Sequence, residues 1–218
     1  GEKKLELVDG HDTYYTDIGT YVHYNRIDVE LLPRLDEYLN VTNYFTSFQH
    51  LVQCDIETVP MTTAPATSLF IQDEQFKGRI PDDPRFNKVD YEGADVQEPE
   101  PDLYHNMAIM DIKAMYHSNV KLHNICWTTL SEDGKDCGNG SKFDQDKSGL
   151  LGRVMDKMTV KRNEYKALMK QATTDADKRK WDAMQFATKS MVASLYGVSG
   201  DSKYGMYHPD IAAAITYT

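Results

Sequence analysis

Apolar residues recur at helical spacing in three stretches of the chain. Residues 24–40 (YNRIDVELLPRLDEYLN) carry Ile27, Leu31, Leu35 and Leu39 four apart, which predicts a helix with one apolar face. Pro33 inside it predicts a break or a kink, because proline removes a donor from the backbone ladder. Residues 150–171 set Leu151, Val154, Met155, Met158, Tyr165, Leu168 and Met169 on one face, and residues 175–196 do the same with Trp181, Met184, Phe186, Met191, Val192 and Leu195. Thr173, Thr174 and Asp175 offer a turn and an N-cap between them, and Gly197 and Gly200 predict the end of the second helix. Two long helices joined by so short a link pack antiparallel.

The intervening patterns are of other kinds. Residues 73–106 are rich in Pro, Asp, Gly and Glu, and read as loops around short extended pieces. Met107, Ala108, Ile109 and Met110 form a short apolar run that stops at Asp111, which predicts a buried strand with a carboxylate at its end. Residues 131–149 hold four glycines among Asp, Lys and Ser, the composition of a loop or a disordered insert. No repeat is visible.

Charge changes the picture more than composition does. The chain of 218 residues has a net charge of −10, which argues against a nucleic-acid partner. From Arg153 to Lys189, however, ten Lys/Arg stand against five Asp/Glu. A basic helical stretch on an acidic body suits a protein that holds anionic phosphates in one place and cations in another. No run of about 18 apolar residues predicts a membrane span. The first residues do not resemble a signal peptide. Three cysteines without metal-ligand spacing predict reduced thiols and a cytoplasmic location, with no membrane partner.

Several residues could carry chemistry. Asp111 at a strand end is a natural Mg²⁺ ligand, since that ion takes one or two carboxylates plus phosphate oxygens; taken alone, an Asp in this place is more often a helix N-cap or a turn residue. Arg162 and Lys166 share a helix face, as do Lys189, Ala193 and Tyr196. Antiparallel packing would bring the three cations to one side, where they would bind a polyphosphate. Asp144, Asp146, Ser148 and Gly149 open like a calcium loop, but Met155 stands where the bidentate Glu belongs, which argues against calcium.

In order along the chain, five motifs resemble those of family B DNA polymerases. Residues 24–28, YNRID, are similar to the YxxxD exonuclease motif, and YNRIDVE looks closest to T-even-phage-like enzymes. Residues 91–94, YEGA, resemble the YxGG/A linker motif. Residues 111–118, DIKAMYHS, resemble motif A (DxxSLYPS). Residues 162–166, RNEYK, match the RxxxK of the fingers, and residues 189–197, KSMVASLYG, resemble motif B (KxxxNSxYG). The cations lie on two different helices, unlike in family A enzymes.

The resemblance implies an α/β (mixed α+β) fold. A partial palm sheet would carry Asp111, beside a long antiparallel helical fingers hairpin and the helical tail of an RNase H-like exonuclease domain. The implied domains are 1–50 (exonuclease tail), 51–145 (first part of the palm), 146–198 (fingers) and 199–218 (return to the palm). The implied activity is that of a DNA-directed DNA polymerase adding dNTPs to a primer 3′ end by two-metal nucleotidyl transfer, with an associated 3′–5′ exonuclease. Its partners would be primer-template DNA, dNTPs and a sliding clamp, and its setting the host bacterial cytoplasm if phage-encoded. Asp111 would be catalytic and would ligate Mg²⁺ with the Ile112 carbonyl. Ala114, Met115, Tyr116, Arg162, Lys166, Lys189, Tyr196 and Gly197 would bind the dNTP, with Tyr116 as steric gate. Tyr91, Gly93 and Ala94 would touch DNA, and Tyr24 and Asp28 would belong to the exonuclease, with Asp28 a metal ligand.

The chain departs from the family pattern at Ala114, His117 and Ala193, where Ser, Pro and Asn are usual. It also ends before a DTDS motif, which would supply the second metal-binding Asp. The expectation is a fragment inactive by itself. Two other readings are a non-catalytic nucleotide- or nucleic-acid-binding remnant of the same fold, and an unrelated interaction domain built on a helical hairpin.

Overall fold

A computed structural model describes residues 10–81, 84–91, 93, 97–112 and 114–218. The chain divides into two compact units, residues 1–44 and 45–218.

In the first unit, α1 (Gly10–Thr16) is followed by α2 (Ile18–Leu39). The helix predicted for 24–40 therefore starts six residues earlier. Asp17 sets the start: its carboxylate accepts from the Thr20 amide at 3.1 Å and from the Thr20 hydroxyl at 2.6 Å, relieving an amide that has no partner within the helix. Pro33 sits inside α2 without breaking it. The carbonyl that loses its donor belongs to exposed Val29, where water can serve it. No described residue of α2 is buried; the predicted apolar face is left half-buried at Ile27 and Leu31 and exposed at Leu35 and Leu39. Asn40, in the left-handed region at φ 58°, ends the helix.

The second unit is built around α6 (Leu150–Gln171) and α7 (Asp175–Ser199). They make the most extensive helix–helix contact among the described residues, and the three residues between them require antiparallel packing. Thr174 caps α7 as expected, accepting from the Asp177 amide at 3.1 Å. α6 buries Leu150, Leu151, Val154, Met155 and Met158. α7 differs from its predicted face. It buries Met191 and Leu195, but the rest of its stripe is small: Ala183, Ala187, Thr188, Val198 and Ser199, while Phe186 is exposed. Small side chains let the two backbones approach, and the larger residues of α6 fill the groove. Tyr165 and Trp181 stack at 6.1 Å, both near the loop end of the pair. Gly197 lies within α7 and Gly200 is the cap, so only one of the two predicted glycine stops is used.

Around the base of this hairpin pack α4 (Thr63–Ile71), α5 (Met115–His123) and α8 (Pro209–Tyr217). The later part of α3 (Val41–Val52) contributes Phe48, Leu51 and Val52 to the core. Ser68 and Gln72 of α4 donate to the Val52 carbonyl at 2.5 and 2.8 Å, satisfying the end of α3. A largely buried pair, Arg153 and Asp73 at 2.7 Å, ties α6 to the segment after α4.

Two strand expectations need correction. Residues 131–149 are not a structureless insert: β1 (Leu130–Asp136) pairs antiparallel with β2 (Lys142–Phe143). Phe143 is fully buried and Gly138 and Gly140 take positive φ in the turn, so the glycines build a hairpin there. The buried strand predicted at 107–110 does not form; Met107, Ile109 and Met110 are 64%, 89% and 95% exposed. A strand requires a partner's ladder, and no described residue offers one to this segment. The mixed class holds as a largely helical fold with a two-stranded antiparallel sheet. No described helix is long and apolar enough to cross a membrane.

Candidate functional site

Three residues from well-separated motifs meet. The Tyr116 ring, at the start of α5, stacks on Tyr196 near the end of α7, with centroids 4.3 Å apart and planes 20° from parallel. Tyr91 joins them from the loop segment. Burial, then the neighbouring Tyr91 and Tyr116 phenols, push the Tyr196 hydroxyl up to about 12, because an anion is unwelcome there. Gly200 admits the third ring: a Cβ at that position would collide with the Tyr91 hydroxyl.

α5 is held against α6 by a cluster that sequence reasoning missed. Asp156 of α6 accepts from His117 Nε2 at 3.1 Å and from Lys121 Nζ at 3.0 Å. His117 and Lys121 are one turn apart on α5, so a single carboxylate reaches both. The pattern could show that the two share a face, but not that Asp156 of another helix would oppose them. His117, the departure from the usual Pro, is thus a structural contact.

The other expected site residues fall as follows. Asp111 and Ile112 are exposed and precede α5. Ala114 caps α5 in the left-handed region at φ 53°. The amides of Met115 and Tyr116 lie in the first turn, where no intrahelical acceptor exists. Arg162 is half-buried, and its Nε is buried with no partner. Lys166 and Lys189 are exposed and form no ion pair among the described residues. Gly197 is exposed, with nothing near its Cα that a methyl group would strike. Gly93 is exposed, and Ala94 lies outside the described residues. Tyr24 and Asp28 are half-buried, one turn apart on α2 in the first unit.

Metal fits poorly. Asp111 and the Ile112 carbonyl are two oxygen donors, of which one is charged, short of what a pair of divalent ions needs. No group of three or more metal-binding side chains occurs among the described residues. The calcium-like loop is closed by its own lysine: Asp144 pairs with Lys147 Nζ at 2.9 Å and accepts from the Asp146 amide at 2.8 Å. Lys147, first by hydrogen bond, holds the half-buried Asp144 carboxyl below the usual range.

The sequence profile of DNA polymerase family B matches residues 48–218. The DNA polymerase of Thermococcus gorgonarius is 29% identical over 131 residues, which cover 58% of this chain and 17% of that protein. The catalytic subunit of DNA polymerase alpha from Dictyostelium discoideum is 29% identical over 135 residues, 60% of this chain and 9% of that one. The chain thus spans a minor part of these relatives. The solved structure of the family B DNA polymerase from the hyperthermophilic archaeon Pyrobaculum calidifontis superposes with a TM-score of 0.75 at 20% identity. It covers 96% of this chain and 30% of that one, a likeness of fold.

Proposed function

The chain belongs to DNA polymerase family B, and on that premise we propose that it is the nucleotide-binding portion of a DNA-directed DNA polymerase. The observation that carries this reading is the meeting of Tyr91, Tyr116 and Tyr196, contributed by three motifs far apart in the chain. Stacked phenols with a neutral, hard-to-ionise hydroxyl make a flat wall for a sugar and a nascent base pair. Tyr116 rejects a 2′-hydroxyl; Tyr196 and Gly197 pack on the base pair; Tyr91, Gly93 and Ala94 follow the DNA.

Phosphate binding is assigned to Arg162, Lys166 and Lys189. Cations without an ion pair among the described residues are available to a triphosphate without breaking one. The amides of Met115 and its neighbours in the first turn of α5 add donors of the kind that bind anions. In this reading Asp111 and the Ile112 carbonyl would be two of the ligands holding Mg²⁺, which would polarise phosphate oxygens. Further carboxylates must come from outside these residues, so the chain alone should not extend a primer.

The finer assignments belong to the same proposal. They are residues 1–50 as the tail of an exonuclease carrying Tyr24 and Asp28, residues 51–145 and 199–218 as palm, and residues 146–198 as fingers. A clamp partner and a host bacterial cytoplasm come with it. A T-even-like origin rests on YNRIDVE alone and has no counterpart in the archaeal and Dictyostelium relatives above.

The test is primer extension by a longer protein containing this chain. Asp111→Asn should abolish extension, and Lys189→Ala should raise the KM for dNTP by ten- to a hundredfold while primer-template binding stays intact. Extension indifferent to both changes would sink the proposal in favour of a non-catalytic remnant.

A further inference from the structure

A cavity of about 290 Å³ lies between residues 79 and 81, residues 85 and 86, Trp127 and residues 205–208. None of Tyr91, Tyr116, Tyr196 or Gly200 lines it. Its volume is at the lower end of small-molecule pockets, roughly 300 Å³ and upward.

The wall is aromatic and the rim is cationic. Trp127, Phe86, Tyr207 and His208 line it, with Arg79 and Arg85 beside them. Phe86 is 43% exposed although it meets the His208 ring edge-on at 4.4 Å, so much of its ring is left to a ligand. The Trp127 ring lines the cavity, while its indole Nε1 is buried without a hydrogen-bond partner among the described residues.

His208 contributes a defined polar edge. Its Nδ1 accepts from the Asp210 amide at 3.3 Å, capping α8. Burial lowers its pKa more than Asp210 raises it. The ring is therefore held neutral, with its proton on Nε2. Tyr207 is anchored by the Val89 amide, which donates to its hydroxyl at 3.1 Å. The cavity is thus held by hydrogen bonds to a helix end and to the extended approach to Tyr91.

We propose that this cavity binds a nucleobase together with its phosphate, the base against Phe86 and Trp127 and the phosphate on Arg85. Stacking on aromatic rings beside a guanidinium is how proteins take up unpaired bases without reading sequence. The neutral imidazole supplies a donor to base-edge or sugar oxygens. The unit could come from a free nucleotide or from a single strand of DNA. The inference uses none of the residues assigned to the triphosphate, so it stands or falls separately from that reading.

The chain has two tryptophans, so the indole region of a ¹H–¹⁵N spectrum reports Trp127 directly, with Trp181→Phe assigning the peaks. The probes are dAMP, inorganic phosphate and an eight-residue oligothymidylate. On adding dAMP the Trp127 indole peak should shift and that of Trp181 should not. Arg85→Ala and Phe86→Ala, both at exposed positions, should each weaken the titration tenfold or more, and Lys189→Ala should leave it unchanged. An oligonucleotide bound at least tenfold more tightly than dAMP identifies the strand as the source; equal affinity identifies the free nucleotide. A Trp127 peak unmoved by millimolar dAMP means the cavity holds only water, and overturns the proposal. So does an equal shift with phosphate alone, or a titration abolished by Lys189→Ala.

Discussion

The α6–α7 hairpin and residues 107–112 lead into the same cluster of tyrosines, yet they are stabilised in opposite ways. The hairpin satisfies its backbone within each helix and buries Leu151, Val154, Met155, Met158, Met191 and Leu195 against its surroundings. Residues 107–112 are as apolar, but Ile109 and Met110 remain almost fully exposed and the backbone pairs with no strand. Helical hydrogen bonds close over four residues, so a helix needs from its surroundings only a cover for one face. A strand needs a neighbour for every second amide as well as a cover. The difference between the regions is therefore one of where the partners must come from, not of hydrophobicity.

The largest effect that could break this comparison is in the cores. Leu195→Ala or Met158→Ala should lower the unfolding free energy by about 2–5 kcal/mol. Met110→Ala should change it by less than about 0.5 kcal/mol. Urea unfolding of the three variants settles it, and equal losses at Met110 and Leu195 would mean that 107–112 is packed in solution.

Next in size is the pair that ties α6 down. Arg153→Met leaves the Asp73 carboxylate largely buried without its partner and should cost on the order of 3 kcal/mol. The Arg153 guanidinium, first through its hydrogen bonds and then its charge, holds the Asp73 carboxyl below the ordinary carboxylate value. The pair's stabilisation is present above a pH of about 4, the unfolded value, and is lost as pH falls through the lowered folded value. Asp73→Asn should flatten that acid limb; an unchanged limb would show that the pair is open in solution.

Tyr196 sharpens the comparison from the alkaline side. Its folded value is raised to about 12, above the unfolded value of about 10. The native state should therefore lose stability between those two pH values as the unfolded phenol ionises first. Comparing urea midpoints at pH 9 and 11 should show a smaller drop for Tyr196→Phe than for the parent chain. The smallest effect concerns Ala114. Replacing it with Gly at φ 53° should raise stability by about 0.5 kcal/mol, and a loss there would mean that the left-handed cap is not populated.

Much of the hairpin was legible because its signal is local. The span 150–171 matches α6, and Thr174 caps α7 where the pattern placed it. The face of α7 was legible only in part, since Ala183 and Ala187 give no hydrophobic signal and are buried by elements distant in the chain. The two-stranded hairpin at 130–143 was hidden by a polar, glycine-rich composition that suits its turn as well as it would suit disorder. Of the candidate site, the motifs named Tyr91, Tyr116 and Tyr196 one by one. Neither Gly200 as the space for Tyr91 nor Asp156 as the acceptor for His117 and Lys121 carries any mark in the chain's spacing.

By itself the sequence determined what depends on near neighbours and on ordered motifs: the two long helices, the cap at Thr174 and the family. Only the tertiary structure decided which residues meet. It stacks Tyr116 on Tyr196 across 80 positions of chain, sets Asp156 against α5, and leaves residues 107–112 without a sheet. Contacts between distant segments depend on the packing of every element between them, and spacing along a chain does not encode it.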